Sequence, residues 1–518
     1  MNKVTVKNFA IWARNKLMED VRFKAMIIGV TERGIAAPLR HSTEDLQYFD
    51  VGKGNKPHLI TGGAVEQREK LVAALNKEAK RQGDYKKAFD TLVEETAYTW
   101  FNRLVALRFM EVNQYLPSGM RVLSGNGNKM EPELVSKPFD SNFTFSEAEK
   151  AQIIEWKDKN KANELFAFLF IRQCNELNAF LPELFEKIDD YTELLINMNY
   201  TDPDGAVRHL ITDIPEGDFK ETVEIIGWLY QYYNAEPKAA VDAYVKAGKK
   251  VVKKDIPAKT QLFTPDWIVR YMVENSLGRL WIEGHPNNEL KKNWKYYLEE
   301  AEQEESVKRQ LEEIRLSYKK INPEDIRVID PCMGSGHILV YMFTVLMQIY
   351  ESAGYNPRDA AVLILEKNLY GLDIDDRAYQ LAYFAVMMKA RQYNRSLFTK
   401  TVKPKLHAIQ ESNGIDVNHL QYFGEGMGEE KRNAAYTDIK TLVMLFYNGK
   451  EYGSLLKIPD LDFALMREYI GKVDTNSFLP VSADLFSETK RLPALMELEA
   501  VFISDLQTRL NNLLDIAE

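Results

Sequence analysis

The segment that most limits the folds open to this chain is Arg327–Tyr350. An apolar run, RVID, closes in Asp330-Pro331, turns through Gly334-Ser335-Gly336 and enters the long apolar stretch ILVYMFTVLMQIY. A short apolar run ended by a turn and followed by a long one reads as a buried strand feeding a buried helix. The pattern then repeats. Asn368–Asp375 (NLYGLDID) is a second strand, Asp376–Asn394 a second helix, and Lys405–Gln410 (KLHAIQ) a third strand ending at Glu411-Ser412-Asn413-Gly414. Strands alternating with helices specify a parallel, doubly wound α/β sheet, and such sheets bind ligands outside the carboxyl ends of their strands. Asp330, the Gly334–Gly336 turn, Asp373 and Glu411 all fall at those ends.

The ligand class follows from what the turn lacks. A dinucleotide fingerprint needs a third glycine three residues after the second, and Leu339 stands there. None of the Gly-Lys pairs at Gly52, Gly248, Gly449 and Gly471 has the upstream glycine or the following Ser/Thr of a P-loop. At the end of the second strand, Gly371-Leu372-Asp373-Ile374-Asp375 offers a carboxylate for both hydroxyls of a ribose and an apolar side chain for a flat base. A glycine turn after the first strand and an acid after the second describe a nucleoside pocket without a pyrophosphate. S-adenosylmethionine (SAM) has that shape.

The rest of the chain is organised around this region. Residues 1–240 read mainly as helix: Phe89–Glu111 carries a broad apolar stripe, and segments 4–28, 147–183 and 219–234 look similar. The aromatic run Trp228–Tyr233 reads as helix core rather than a base-stacking platform. Between residues 241 and 260 lysines dominate. Lys249, Lys250, Lys253 and Lys254 form either a solvated linker or a patch that tracks nucleic-acid phosphates through counterion release. Within the region 261–420, residues 283–325 are a charged helical excursion. Residues 421–518 read as helix, over Ala434–Asn448, Leu461–Ile470 and Ser487–Ala517.

Composition sets bounds. The 518 residues, 45% hydrophobic and 28% charged, exclude a largely disordered chain. No window reaches the ~18 apolar residues of a membrane span, and MNKVTVKNFAIWARNK has no signal-peptide core. Two cysteines, Cys174 and Cys332, make no disulfide framework, so a cytoplasmic setting is expected. Seven histidines without HxxxH spacing give no expectation of a metal site. The net charge of −9 rules out a uniformly basic nucleic-acid coat but not a local stripe.

On these residues the chain resembles the amino-DNA methyltransferases. Asp330–His337 is similar to their motif I and Tyr370–Asp375 to motif II. Gln261–Tyr271 (QLFTPDWIVRY) is similar to the F-T-P motif X, which precedes motif I in the γ-type N6-adenine enzymes. The strings QLFTPDWIVRYMVENSLGRLW, DPCMGSGHILVY and NLYGLDIDDRAYQLAYFA resemble, more narrowly, the adenine-specific DNA methyltransferases of bacteriophage-exclusion (BREX) defence systems. That likeness runs from residue 1 over essentially the whole chain. It implies a Rossmann-like SAM-dependent methyltransferase sheet preceded by a mainly α-helical N-terminal domain. SAM is the implied cofactor and double-stranded DNA the implied partner. Thr264 is then expected to bond the methionine carboxylate and Phe263, with Pro265 beside it, to cover it. Asp330, Met333 and the Gly334-Ser335-Gly336 backbone hold the methionine amino end and the ribose side, and His337 is pocket wall. Asp373 takes the ribose hydroxyls, Ile374 contacts adenine, and Glu411 holds the position that reads the adenine amino group.

One part of the family pattern is missing. Amino methylation needs acceptors on the attacking nitrogen and an aromatic platform for an extruded base. The family supplies both from one [NDS]-P-P-[YFW] loop after a fourth strand, yet no two of the 19 prolines are adjacent. The sheet is thus expected to be incomplete, and the chain to be the N-terminal portion of a longer methyltransferase that does not methylate DNA alone. The C-terminal helices, or a partner such as the remaining methyltransferase portion or another defence subunit, must cover the edge of the sheet, or the chain is expected to be aggregation-prone. Two other classes stay open: a SAM-sensing or scaffolding subunit, and a methyltransferase acting on protein or RNA.

Overall fold

The structure, a computed structural model, describes residues 1–52, 54–127, 129–185, 191–197, 199–399, 402–473 and 493–518. The described residues are mainly helical with three small sheets. It divides into two compact units. One takes Met1–Ile326, Gly334–Asn368 and Gln380–Pro404, the other Arg327–Met333, Leu369–Tyr379 and Lys405–Glu518. These limits cross the composition boundaries at 240, 260 and 420 rather than follow them.

In the first unit, α1 (Lys3–Ile27) begins at Asn2, whose side chain accepts the Val4 and Thr5 N–H groups. Its buried residues Val6, Phe9, Ala10, Ala13, Leu17, Val21 and Ala25 make one stripe at helical spacing. Two antiparallel hairpins follow, β1 (Val30–Thr31) with β2 (Gly34–Ile35), and β3 (Leu46–Phe49) with β4 (His58–Thr61). These strands depart from the mainly helical expectation for residues 1–240. Next come α2 (Gly63–Gln82) and α3 (Tyr85–Val112), the latter buried on every side from Val105 to Val112. A helix buried all round belongs in the middle of a domain, and α3 packs against both α1 and α2.

The stretch 147–183 contains two helices, α4 (Glu147–Asp158) and α5 (Ala162–Asn178), because Asn160 between them takes a φ of 54°. That left-handed conformation ends a right-handed helix. After a break at Thr222-Val223, α6 (Glu224–Tyr233) packs on α1 and buries Ile225, Ile226, Leu229, Tyr230 and Tyr233, the last edge-on to Tyr98 at 5.0 Å. Tyr230 and Tyr233 of the aromatic run are therefore core, while Trp228 and Tyr232, stacked on each other, are only half-buried. The remaining helices of this unit include α7 (Asp266–Val273), α8 (Glu305–Tyr318), none of whose residues is fully buried, and α9 (His337–Ser352). Residues from Gln380 onward of α10 (Asp376–Tyr393) also belong here. Asn368 is fully buried and fully bonded. It accepts the Tyr350 hydroxyl at 2.9 Å and donates to the Pro323 and Ile326 carbonyls at 2.8 and 2.6 Å.

The second unit contains β5 (Val328–Asp330), β6 (Leu369–Asp373) and β7 (Lys405–Ala408), a parallel sheet in the order β5-β6-β7. Asp330 lies opposite Gly371, and Asp373 opposite Ala408. The longer helices of this unit among the described residues are α11 (Glu429–Leu445), α12 (Phe463–Gly471) and α13 (Pro493–Ala517). Ile503, Leu506, Leu510, Leu513 and Leu514 of α13 recur at helical spacing and join Ile439, Phe446 and Tyr469 in one core. Residues 487–492, expected as the start of that helix, lie outside the described residues. Helix α13 packs against β7. At the opposite edge β5 pairs with β6 alone among the described residues, and Ile329 remains 55% exposed.

Inside the first unit one ion pair is wholly buried. Arg108 Nη1 lies 2.6 Å from Glu111 Oε1, with both side chains at 0% exposure. Glu111 also accepts the Val122 and Leu123 N–H groups and the Ser124 hydroxyl, at 3.0, 2.8 and 2.9 Å. The carboxylate thus pins a loop to α3, and removing the guanidinium leaves an uncompensated buried charge. Arg108→Ala is expected to lower unfolding stability by about 3–5 kcal/mol, measured by urea denaturation, whereas an exposed pair such as Lys150–Glu147 contributes little when broken.

Candidate cofactor site

The strand ends of the second unit collect acids. β5 terminates at Asp330, whose Oδ1 accepts the Cys332 N–H at 3.1 Å and closes a tight turn. The next residue, Met333, is buried and donates its N–H to the Leu372 carbonyl at 3.0 Å, so the turn is bonded to the neighbouring strand. Asp330 is 7% exposed, and its Oδ2 is buried without a hydrogen-bond partner among the described residues. Burial raises its pKa above the ordinary carboxylate value, and the charge of Asp373 pushes the same way against the Cys332 N–H.

β6 ends at Asp373, which is half-buried; its Oδ1 accepts the Asp375 N–H at 2.9 Å and its carbonyl the Ile409 N–H at 2.8 Å. Asp375 in turn accepts Arg377 Nε at 3.1 Å. Ile374 is partly buried against the C-terminal core, close to Gly453, where a Cβ would stand 3.4 Å from its Cγ2. Beyond β7, Glu411 Oε1 accepts the Lys450 N–H at 3.2 Å. Gln410 Nε2 and Lys450 Nζ both donate to Asp376, at 2.8 and 2.5 Å. Lys450 and Asp376 were not singled out in the sequence, since their contact joins segments far apart in the chain.

The other expected site residues lie in the first unit. Phe263 is buried, Thr264 half-buried and Pro265 exposed. His337, the first residue of α9, donates Nδ1–H to the Thr264 carbonyl at 3.0 Å. Its ring lies flat on Phe263, 4.3 Å between centroids and 2° between planes. Phe263 sits so close to α6 that a Cβ on Gly227 would fall 2.1 Å from its ring and 2.9 Å from the Ser335 hydroxyl. Gly336 precedes α9 with a φ of 81°, and a Cβ there would stand 2.9 Å from the Ala382 backbone. Gly334 also has positive φ, 54°, but a Cβ would meet open space. The second unit thus holds Asp330, Met333, Asp373, Ile374 and Glu411, and the first holds Phe263, Thr264, Pro265, Gly334, Ser335, Gly336 and His337.

In the lysine-rich stretch, Lys259 pairs with Asp242 at 2.5 Å and Lys238 donates to the Gln261 carbonyl. Lys249, Lys250 and Lys253 are exposed. The Lys254 side chain lies outside what is described.

Comparison with known proteins supplies the class and then the family. No family profile matches the chain. The chain is 43% identical over 475 residues to "Adenine-specific methyltransferase PglX" of Lacticaseibacillus casei (strain Zhang), a match covering 88% of the chain and 38% of the relative. It is 39% identical over 495 residues to "Adenine-specific methyltransferase BrxX" of Escherichia coli O9:H4 (strain HS), covering 91% of the chain and 39% of the relative. It is thus a relative of adenine-specific methyltransferases. Over the part it spans, the chain belongs to the PglX/BrxX family. That part is about two fifths of the length of these curated relatives.

Two outcomes follow from the strand-end geometry. An acid whose pKa is raised by folding contributes most to stability below its unfolded pKa, and that contribution is lost as pH rises through the folded value. Asp330→Asn is therefore expected to raise the urea midpoint of the ligand-free chain at pH 7 and to leave it nearly unchanged at pH 3.5, where ~70% of an ordinary aspartate is protonated. Gly336→Ala is expected to destabilise by about 1–3 kcal/mol more than Gly334→Ala, because only the former adds a backbone clash to the shared positive-φ strain; paired denaturation curves measure the difference.

Proposed function

We propose that this chain is the SAM-binding part of an adenine-N6-specific DNA methyltransferase of a BREX-like phage-defence and restriction-modification system. The observation that carries the reading is the orphaned Asp330 Oδ2 at the carboxyl end of β5, with the charge of Asp373 acting on it. Two acids that raise each other's cost when ligand-free suit a cation, and SAM brings an ammonium and a sulfonium. Bound SAM supplies an electrophilic methyl group.

The chain's own residues divide the binding task. Asp330 takes the ammonium and Asp373 the ribose hydroxyls, with Ile374 beside the adenine and Glu411 near its amino group. On this reading the three strands belong to a Rossmann-like methyltransferase sheet whose order β5-β6-β7 is one half of the doubly wound pattern. The family pattern assigns Phe263, Thr264, Pro265, Met333 and Gly334–His337 to the same cofactor. The exposed Lys249, Lys250 and Lys253, with Lys254, act on double-stranded DNA as phosphate contacts, which carry affinity without sequence information.

Transfer itself requires groups this sequence lacks. The in-line attack of adenine N6 needs an acceptor for its N–H and a platform for the flipped base, and the Pro-Pro loop that provides them in the family is not in these 518 residues. The chain alone is therefore expected to bind SAM without methylating DNA. A scaffolding subunit that only binds SAM is the competing assignment.

Calorimetry with SAM on the purified chain tests the pocket. The expected result is one site, weakened about 10- to 100-fold by Asp373→Ala, the size of a lost hydrogen bond to a charged group. Undiminished affinity in that variant removes the assignment. Radiolabelled methyl transfer to adenine in duplex DNA by the chain alone overturns its inactivity. Transfer restored by adding the remaining part of a PglX-length protein separates the enzyme reading from the scaffold.

A further inference from the structure

We propose that Glu224, Asp266 and His337 form a binding site for a divalent transition-metal ion of the zinc type. All three belong to the first unit, and one donor atom from each lies within 4.8 Å of the other two. They come from the first residues of α6, α7 and α9 and line one cavity of about 210 Å³ together with Arg270, Tyr341 and Lys389. The inference does not rest on the cofactor reading.

The argument turns on the second nitrogen of His337. Its side chain is only 8% exposed. Nδ1 is committed as a donor to the Thr264 carbonyl, so the neutral ring directs the lone pair of Nε2 into the cluster. That is the arrangement in which a metal-ligating histidine is usually held: one nitrogen oriented by a carbonyl, the other free to coordinate. Nε2 lies 3.7 Å from Glu224 Oε1. This exceeds the ~2.7–3.2 Å of a hydrogen bond, so a proton between them is not well shared. Two ligands bound about 2.0–2.1 Å from one ion at a tetrahedral angle stand roughly 3.3–3.4 Å apart. The gap between His337 and Glu224 is within a small side-chain movement of that value, and the half-exposed Asp266 has room to close the rest.

The surroundings fix the other donors. Asp266 Oδ2 accepts Arg270 Nε at 2.7 Å, which orients the carboxylate and leaves its second oxygen available. The Tyr341 hydroxyl is spent on Glu274 Oε1 at 2.6 Å, so it is not a ligand. One imidazole nitrogen with two carboxylate oxygens favours Zn²⁺ over Mg²⁺ or Ca²⁺, which take all-oxygen sets. Arg270 and Lys389 offset part of the negative charge, so binding weaker than that of a Cys/His structural site is expected. The ion would join the starts of three helices that are distant in sequence, and it would hold His337, hence the Thr264 backbone, in place.

The test uses the purified full chain stripped with chelator. Zn²⁺ titrated by calorimetry is expected to fill one site and to raise the thermal midpoint, and Co²⁺ to give a tetrahedral ligand-field spectrum. His337→Ala and the near-isosteric Glu224→Gln are each expected to weaken Zn²⁺ at least about 100-fold and to abolish the thermal shift. His209→Ala, which removes the other histidine set among carboxylates (Asp204 and Asp213), is expected to change neither. Three results overturn the site: no Zn²⁺ uptake, uptake insensitive to both variants, or an equal thermal shift from Mg²⁺. Should His337→Ala fail to fold, Glu224→Gln decides alone.

Discussion

Parallel pairing is the constraint from which the rest of the second unit follows. In a parallel sheet every strand delivers its carboxyl end to the same edge, so the residues after β5, β6 and β7 share one end although long helices separate them in sequence. The register Asp330↔Gly371 and Asp373↔Ala408 staggers the two acids along that end. The bond from the Met333 N–H to the Leu372 carbonyl then locks the first turn onto the middle strand. With β6 in the centre, both flanking loops are held by main-chain bonds, since Ile409 N–H reaches the Asp373 carbonyl on the other side. The acid-rich end is thus a product of strand direction, with side chains refining it.

Such an end is costly when empty. Asp330 has one oxygen bonded to Cys332 and one with no partner, and the charge of Asp373 adds to the penalty. A chain selected only for stability would place an amide or an apolar residue there, because an unpaired buried acceptor is expensive. Strain of this kind concentrates where a ligand relieves it. The opposite case is Glu111, equally buried but bonded to Arg108, Ser124 and two backbone amides. Glu111 is satisfied on both oxygens and serves the architecture, whereas the deficit at Asp330 is the feature on which the proposed binding role rests. Gly336 makes the same point in backbone terms, since its positive φ and the nearby Ala382 backbone leave no room for a side chain.

What could be read from the sequence was what local patterning determines. The three strands and their two long helices were legible because short apolar runs end in Asp-Pro, Gly-Leu-Asp and Glu-Ser-Asn-Gly, each a stop signal with a chemical reason. The stripe of α13 was legible by period. The hairpins between residues 30 and 61 were not: two are strands of only two residues, and Leu46 and Leu59 point their apolar surface outward, so no alternation builds up. Glu411 was placed at the right strand end, but its bond to Lys450 N–H depends on a segment 39 residues away. The grouping of Glu224 and Asp266 with His337 is likewise tertiary, which is why histidine spacing was silent about it.

The two edges of the parallel sheet are finished differently, and the difference bears on the proposed chemistry. β7 carries α13 against it and feeds Ile409 into the C-terminal core. β5 pairs with β6 alone among the described residues and leaves Ile329 largely exposed. Unpaired edges can recruit strands, and among the described residues β5 is the edge left open to one. A parallel strand added there would bring its carboxyl end beside Asp330 and leave Glu411 two strands away. On the proposed reading this separates two adenines: the cofactor's lies toward Ile374 and Glu411, and the target's toward the β5 side, with the methionine end of SAM between them. Asp330, by fixing that end through its ammonium, then sets the direction in which the sulfonium methyl faces the incoming nitrogen, an orienting task that binding alone does not require.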